Sequence, residues 1–134
     1  MVDGGQRAIE FYGRAFGAEV VTRLTMGDKL MHAEVRIGDS TFTLSDEFPD
    51  YGFVAPASDS VSQSLLIWVE DVDAAHARTV EAGATQTSEV SDQFHGDRVG
   101  TVRCPLGHRW VLATHTEDLS EAEMQRRMEE VFDG

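Results

Sequence analysis

Apolar residues near the start of the chain recur at the spacing of one helix face. They are Ala8, Ile9, Tyr12 and Phe16. Asp3 precedes this pattern, and Gln6 follows it three residues later, which is the spacing of a capping box. Gly17 stands where a glycine commonly ends a helix. The pattern predicts a first helix that is capped by Asp3 and that ends at Gly17.

Alternating patterns follow this helix and predict strands. Residues 19–24 are predicted to form a strand after the helix, and residues 32–37 alternate so that His32, Glu34 and Arg36 share one face. The sequence Gly-Asp-Ser at 38–40 is typical of a hairpin turn. The next strand, residues 41–45, places Thr43 among polar residues opposite an apolar face.

The same order of elements begins again in the second half of the chain. A strand at 64–69 is followed by a helix that Asp71 caps and Gly83 ends, and then by a hairpin pair over 98–114. Residues 42–44 (Phe-Thr-Leu) match residues 110–112 (Trp-Val-Leu) at an offset of 68. A helix followed by a hairpin pair therefore occurs twice, which indicates an internal repeat.

These elements predict one domain, residues 1–134. Module one spans residues 1–50, a long linker spans 51–63, and module two spans 64–116. Ser120 and Glu123 form a second capping box, and a narrow apolar stripe follows them. A separate C-terminal helix is therefore expected over residues 119–132.

Charge and composition exclude several classes of partner. The formal net charge of −13 argues against nucleic acid and anionic membranes, because both require a basic surface. No apolar run approaches the roughly 18 residues of a membrane span, and a signal-peptide pattern is lacking at the start. The single cysteine, Cys104, cannot form an internal disulfide. We expect a cytoplasmic protein.

The polar faces of the predicted strands would line a groove for a small molecule. Trp68 could stack on a ligand, and a loop beginning at Phe94 could fold over the groove. Arg98 or Arg109 could hold an anionic group, although pairing with carboxylates is an alternative in so acidic a chain. The predicted ligand-binding residues are His32, Glu34, Arg36, Thr43, Ser64, Trp68, Phe94, Arg98, Arg109 and Val111. A nucleophile elbow, a phosphate loop and a dinucleotide fingerprint are all absent from the sequence.

Several stretches resemble the vicinal oxygen chelate superfamily, the glyoxalase/bleomycin-resistance/dioxygenase group. They are residues 8–18, 69–74, 94–98 and 107–110, and the last region, with 46–48 and 114–118, is most similar to the PhnB-like branch. The resemblance implies an α+β fold of two sequential βαβββ modules that form a curved, cupped mixed sheet. Only Met1 and Val2 remain of the strand that precedes the first helix in relatives, so that strand is expected to be missing from this sequence. Either the strand is lost or the true start lies upstream. The resemblance also implies a homodimer, whose partner subunit could cover the exposed sheet edge.

The resemblance places metal ligands at one position in the absent strand and at Thr43, Ser64 and Val111. Valine cannot bind a metal, and a lone hydroxyl is a poor ligand. We therefore expect no metal and no cofactor, and a protein that binds a small molecule without catalysis through the family's metal. The alternative is a metal-dependent lyase, isomerase or dioxygenase with ligands recruited from His32, Glu34, His95 or His115. A third possibility is a truncated or decayed member of the family whose remaining role is structural or interactive.

Overall fold

A computed structural model describes residues 1–57 and 61–133 of the chain. Residues 58–60 of the predicted linker lie outside the described residues. The helices are α1 (Gly5–Phe16), α2 (Val72–Glu81) and α3 (Glu121–Asp133), with one 3₁₀ turn over Pro49–Tyr51. The strands are β1 (Glu19–Met26), β2 (Lys29–Ile37), β3 (Ser40–Leu44), β4 (Ser64–Trp68), β5 (Thr85–Asp92), β6 (Asp97–Arg103) and β7 (Arg109–His115). Within the described ranges no helix is long and apolar enough to cross a membrane.

The strands form two sheets, one in each half of the chain. The first has the order β1-β2-β3 and is antiparallel, and the second has the order β4-β7-β6-β5 with β4 parallel to β7. Each half therefore contains a helix followed by three antiparallel strands. The α+β class, the duplicated module and the additional C-terminal helix agree with the sequence-based prediction, which is confirmed.

The strand that relatives have before α1 is represented here by Val2. Val2 forms a parallel bridge with Asp46, and its N–H donates to the Ser45 carbonyl (3.0 Å). Val69 makes the same bond to the Ala113 carbonyl (2.9 Å) at the end of β4. In the second half a full strand precedes this bond, whereas in the described residues of the first half the pairing is limited to the bridge at Val2.

The predicted caps of α1 and α2 have different outcomes. The Asp71 carboxylate accepts a hydrogen bond from the Ala74 N–H (3.2 Å) at the start of α2, so that prediction is confirmed. The prediction for Asp3 is wrong, because α1 begins after Gly4 and has no side-chain cap of its own. The Asp46 carboxylate instead accepts from the N–H groups of Gly4 (3.2 Å) and Gly5 (2.7 Å). The first N–H groups of any helix lack partners within the helix, and here Asp46, which is distant in sequence, accepts hydrogen bonds from two such groups.

An aromatic core joins the two halves. Tyr12 and Phe16 of α1 lie 5.4 Å and 4.8 Å, between ring centroids, from Trp110 of β7. Phe42 of β3 completes the cluster, with its ring 5.5 Å from Tyr12. Tyr12 and Trp110 are almost fully buried. One face of each sheet is therefore buried on helices in a shared core, and the opposite faces remain available for binding.

Candidate functional site around Trp68

Trp68 is the last residue of β4, an edge strand, and its side chain is 59% exposed. Two cavities meet at this indole. One, of about 630 Å³, lies between β4 and the β2–β3 hairpin. The other, of about 400 Å³, lies between Trp68, the end of β7 and the start of α3. Small-molecule sites commonly have volumes of roughly 300–1,000 Å³ and an aromatic lining, and both cavities meet these two criteria at Trp68.

The second cavity combines apolar and titratable side chains. Its apolar part consists of Trp68, Leu119 and Met124, and its polar part includes His95 and His115. The carboxylates of Asp97, Glu117 and Asp118 also line it. The cavity therefore offers an aromatic surface next to a set of hydrogen-bonding groups.

Asp97 organises these groups. Its carboxylate accepts from Nδ1 of His95 (3.1 Å) and from Nδ1 of His115 (2.8 Å). The Asp97 side chain is only 16% exposed, so solvent competes weakly for these bonds. Nε2 of His115 lies 2.6 Å from an Asp118 carboxylate oxygen. Because both nitrogens of His115 face carboxylates, the arrangement favours the doubly protonated imidazolium, which can donate to both.

The pKa of His115 follows from this arrangement. Hydrogen bonds to Asp118 and then to Asp97 raise the pKa of His115 above its ordinary value, and the charges of the two carboxylates add to the effect. His95 differs, since only its Nδ1 has a partner among the described residues. Its other nitrogen is therefore available to a molecule in the cavity.

The turn at Gly96 fixes this network to the sheet. The Gly96 carbonyl accepts from the N–H groups of Thr116 (3.0 Å) and Glu117 (2.9 Å) and from the Thr116 hydroxyl (2.8 Å). These bonds tie the β5–β6 turn to the residues after β7. His95 and Asp97, on either side of Gly96, are thereby held opposite His115.

The predicted residues of module one lie on the other sheet. His32, Glu34 and Arg36 follow one another at alternate positions of β2, and Glu34 is opposite Thr43 of β3. The Arg36 guanidinium donates to the Glu19 carboxylate (2.6 Å). The His32 and Glu34 pair and the His95 and His115 pair are thus on different sheets. Across the described ranges, no group of three or more His, Cys, Asp or Glu side chains is arranged to hold a metal ion.

Four of the predicted residues of module two lie in the parallel pair of β4 and β7, namely Ser64, Trp68, Arg109 and Val111. Ser64 is opposite Arg109 and Leu66 is opposite Val111. Nε of Arg109 donates to the Ser64 hydroxyl (2.6 Å). A guanidinium therefore occupies the neighbourhood of Ser64, and its positive charge opposes a divalent cation there. The donor set at Thr43, Ser64 and Val111 does not fit the metal that the family resemblance implies.

Arg98 and Phe94 have protein partners. The Arg98 guanidinium pairs with Asp73 at the start of α2 (2.8 Å) and with Asp92 (3.3 Å). These hydrogen bonds raise the pKa of Arg98 and lower that of Asp73. Phe94 lies edge-on to Phe132 of α3, with ring centroids 6.2 Å apart. Arg98 is thus occupied by an ion-pair cluster, and Phe94 borders the C-terminal helix.

Sequence reasoning missed the acidic half of this site. Asp97 and Asp118 were not among the predicted site residues, although they orient His95 and His115. A signal was present in the spacing His95-Gly96-Asp97, which places a carboxylate two residues from an imidazole. The approach of His115 to Asp97 depends on the antiparallel register of β6 and β7, which pairs these two residues directly.

Comparison with known proteins identifies the family. The model of the Glyoxalase/Bleomycin resistance protein/Dioxygenase superfamily matches residues 1–112. The chain belongs to this superfamily.

Relatives in sequence and structure cover most of the chain. An uncharacterized protein of Mycobacterium bovis is 36% identical, over 100% of this chain and 91% of its own length. TioX from Micromonospora sp. ML1 has a solved structure with a TM-score of 0.67 and 27% identity, covering 86% of this chain and 92% of TioX. A solved structure from Arabidopsis thaliana gives a TM-score of 0.70 at 27% identity, covering 84% of this chain and 91% of that one. These matches support the two-module architecture.

Proposed function

We propose that this protein, within the PhnB-like branch of the superfamily, binds a small planar molecule beside Trp68 without the family's metal. The observation that carries the proposal is the exposed indole of Trp68 next to His95, whose Nδ1 is held by Asp97. A planar ligand could stack on the indole and form a hydrogen bond with the second nitrogen of His95. Stacking fixes the plane of the ligand, and the imidazole fixes its orientation within that plane.

The charges in the cavity restrict the ligand. Three carboxylates, of Asp97, Glu117 and Asp118, border it together with the two histidines, and in the part of the chain that the structure describes neither lysine nor arginine lines it. Glu117 is paired with Arg127 (2.8 Å) and Asp118 with His115, so part of the negative charge is compensated. The remaining imbalance and the net charge of −13 favour a neutral or cationic ligand over an anion.

Replacing Trp68 by alanine is expected to weaken the binding of a planar aromatic cation about tenfold or more. Stacking on an aromatic side chain contributes roughly 1–3 kcal/mol, and tenfold in affinity corresponds to about 1.4 kcal/mol. The probe is 9-aminoacridine, whose own fluorescence anisotropy reports binding to chelator-treated protein. Trp68→Phe should retain part of the affinity, because it keeps an aromatic face.

The same titration contains its controls. His95→Ala should weaken binding, whereas His32→Ala, on the other sheet, should leave the affinity unchanged. Naphthoate, a planar anion of similar width, should bind more weakly than 9-aminoacridine. Equal affinity in wild-type protein and Trp68→Ala would contradict the proposed site. A stoichiometric divalent metal in protein purified without chelator would contradict metal-free binding.

We also propose that the chain forms a homodimer. β1, at the outer edge of the first sheet, exposes Val21, Leu24 and Met26, whose side chains are 48%, 56% and 71% accessible. Apolar groups on an edge strand favour contact with a second protein surface.

The molar mass in solution tests this dimer. Light scattering after size exclusion should give twice the chain mass. Leu24→Glu should reduce it to one chain mass, whereas Val80→Glu, on α2, should not; a monomeric wild-type protein would refute the dimer.

A further inference from the structure

α3 is the helix least attached to the rest of the protein. None of its residues from Glu121 to Asp133 is buried, whereas α1 buries six residues and α2 buries three. Near its end, the side chains of Val131 and Phe132 are 62% and 75% exposed. Its 13 residues are at the length where an isolated helix is only marginally stable in water. Contacts with the body of the protein therefore decide whether α3 stays in place.

These contacts are few and lie at the surface. Beyond the cap of the helix at Ser120, hydrogen bonds and ring contacts from α3 to other described parts of the chain are limited to two. The Arg127 guanidinium donates to the Glu117 carboxylate (2.8 Å), and the Phe132 ring lies edge-on to Phe94. We call these two contacts the latch. Exposed ion pairs contribute little to stability, so the latch can open at a small cost in free energy.

The segment before α3 has the properties of a pivot. The N–H of Glu117 donates to the Gly96 carbonyl (2.9 Å), which fixes the chain to the sheet at that point. Helical bonding begins where the Met124 N–H donates to the Ser120 carbonyl (3.0 Å). Among the described residues, the main-chain N–H groups of 118–120 have no protein acceptor. Rotation of the backbone there therefore breaks no hydrogen bond that these three groups donate to the protein.

The cavity of about 400 Å³ has walls on both sides of this pivot. Trp68, Asp97 and His115 belong to strands of the second sheet. Leu119 and Met124, which are apolar, belong to the pivot and to α3. The aromatic and hydrogen-bonding groups are thus on the sheet, and part of the apolar wall is on the weakly attached helix. Displacement of α3 would open the cavity without moving Trp68 or Asp97.

We infer that α3 is a lid on this cavity, which turns about residues 118–120, is held shut by the latch, and controls the entry and release of a small molecule. In the closed position, Leu119 and Met124 complete the apolar wall around a molecule that lies on the Trp68 indole. In the open position, the cavity is accessible from solvent. Lids of this kind are drawn from the least stable parts of a fold. The inference rests on the proposed function for the molecule, whereas the movement of α3 is measurable without one.

Amide hydrogen exchange tests the movement in the protein without a ligand. We expect the amides of residues 125–131 to exchange at least about tenfold faster than the internal amides of α1, and with one common protection factor, because a lid detaches as a unit. Fraying of the chain end would instead give protection that falls steadily towards Asp133. Such a gradient, or protection of α3 equal to that of α1, would overturn the inference.

Two neighbouring arginines provide a matched pair of variants for the latch. Arg126 pairs with Glu123 (2.7 Å) and with Glu130, which both lie in α3. Arg127 pairs with Glu123 (3.0 Å) and, across the pivot, with Glu117 (2.8 Å). Each substitution by glutamine removes one charge and two ion pairs, but only Arg127→Gln breaks the latch. We expect exchange in α3 to be about threefold faster in Arg127→Gln than in Arg126→Gln. Equal exchange in the two variants would contradict a latch at Glu117.

Locking the lid tests its effect on the site. In the double variant Phe94→Cys/Phe132→Cys, a cleavable bis-maleimide replaces the aromatic contact of the latch by a covalent link, and Cys104 is buried. Stopped-flow anisotropy should show 9-aminoacridine dissociating at least about tenfold more slowly from the linked protein, with recovery when the link is cleaved. The single variant Phe132→Cys, treated in the same way, should show no such change.

The outcomes separate the lid from the proposed function. Equal dissociation rates before and after cleavage would overturn the lid, while Trp68-dependent binding would still support the site. A wild-type protein that binds no dye would count against the proposed function alone, and the exchange comparison would then decide whether α3 opens.

Discussion

Asp46→Ala is expected to lower the free energy of unfolding by about 2–4 kcal/mol, the sum of a lost helix cap and lost charge-assisted hydrogen bonds. The Asp46 carboxylate accepts from three main-chain N–H groups, those of Gly4 (3.2 Å), Gly5 (2.7 Å) and Leu30 (2.6 Å). These bonds join the start of α1 to the first residues of β2. Alanine would leave all three amides without an acceptor in a partly buried place. Chemical denaturation, followed by far-ultraviolet circular dichroism, measures the change.

Glu10→Ala is the matched control, because Glu10 is an exposed carboxylate on the same helix and its removal changes the net charge equally. We expect its effect to stay within about 0.5 kcal/mol. An Asp46→Ala variant as stable as Glu10→Ala would show that the carboxylate does not hold α1 in place.

The contribution of Asp46 depends on pH with a definite sign. Burial alone would raise the pKa of this carboxyl, but the N–H groups of Leu30, Gly5 and Gly4 and the charge of Lys29 together hold the pKa below its ordinary value. A carboxyl with a lowered pKa in the folded state stabilises the protein above its unfolded pKa of about 3.9. That stability is lost as the pH falls towards the folded-state pKa. The difference between wild type and Asp46→Asn should therefore be constant near neutral pH and should shrink below about pH 4.

Gly96→Ala is expected to destabilise the protein by a similar amount, about 2–4 kcal/mol, and also to disturb the candidate site. Gly96 has φ +92°, which L side chains rarely adopt, and a Cβ there would lie 2.7 Å from the Glu117 carbonyl oxygen. That oxygen belongs to the main chain and cannot swing aside. The turn must therefore shift, and with it His95 and Asp97.

Gly27→Ala separates the two causes. Gly27 also has a positive φ, +62°, but a Cβ there would meet nothing within 4 Å. Its cost should therefore be the backbone strain alone, about 1–2 kcal/mol. The pKa of His115, followed by nuclear magnetic resonance, should fall towards its ordinary value in Gly96→Ala and stay raised in Gly27→Ala. An unchanged His115 pKa in both variants would mean that the Gly96 turn does not position Asp97.

Local sequence patterns were sufficient for the order of elements in this fold. The strand predicted at 32–37 is the C-terminal part of β2, and the strand at 41–45 differs from β3 by one residue at each end. The Asp71 cap was readable because a capping side chain lies within a few residues of the amides it accepts from. The cap of α1 was not readable, because Asp46 is 41 residues from Gly5 and only the folded chain brings the two together.

In the candidate site, too, some features could be predicted from the sequence and others depend on tertiary contacts. Trp68 was predicted to bind a ligand from its place on an alternating strand, and the structure shows only that its side chain is exposed. Arg98 has the right chemistry for an anionic ligand, but tertiary contacts pair it with Asp73 and Asp92. Periodicity shows which face of a strand a residue occupies, but it does not show which neighbouring element meets that face.

By itself the sequence determined the two-module α+β architecture, the polar faces of its strands and the unsuitability of Thr43, Ser64 and Val111 as metal ligands. These properties depend on residue type and local spacing. Only the tertiary structure decided that Asp97 joins His95 to His115 and that β3 and β4 leave two open edges around one cavity. The physical reason is that hydrogen bonding and strand pairing act over a few ångströms in space, whereas His115 is 18 positions from Asp97 in the chain and β4 begins at Ser64, well after β3 ends at Leu44.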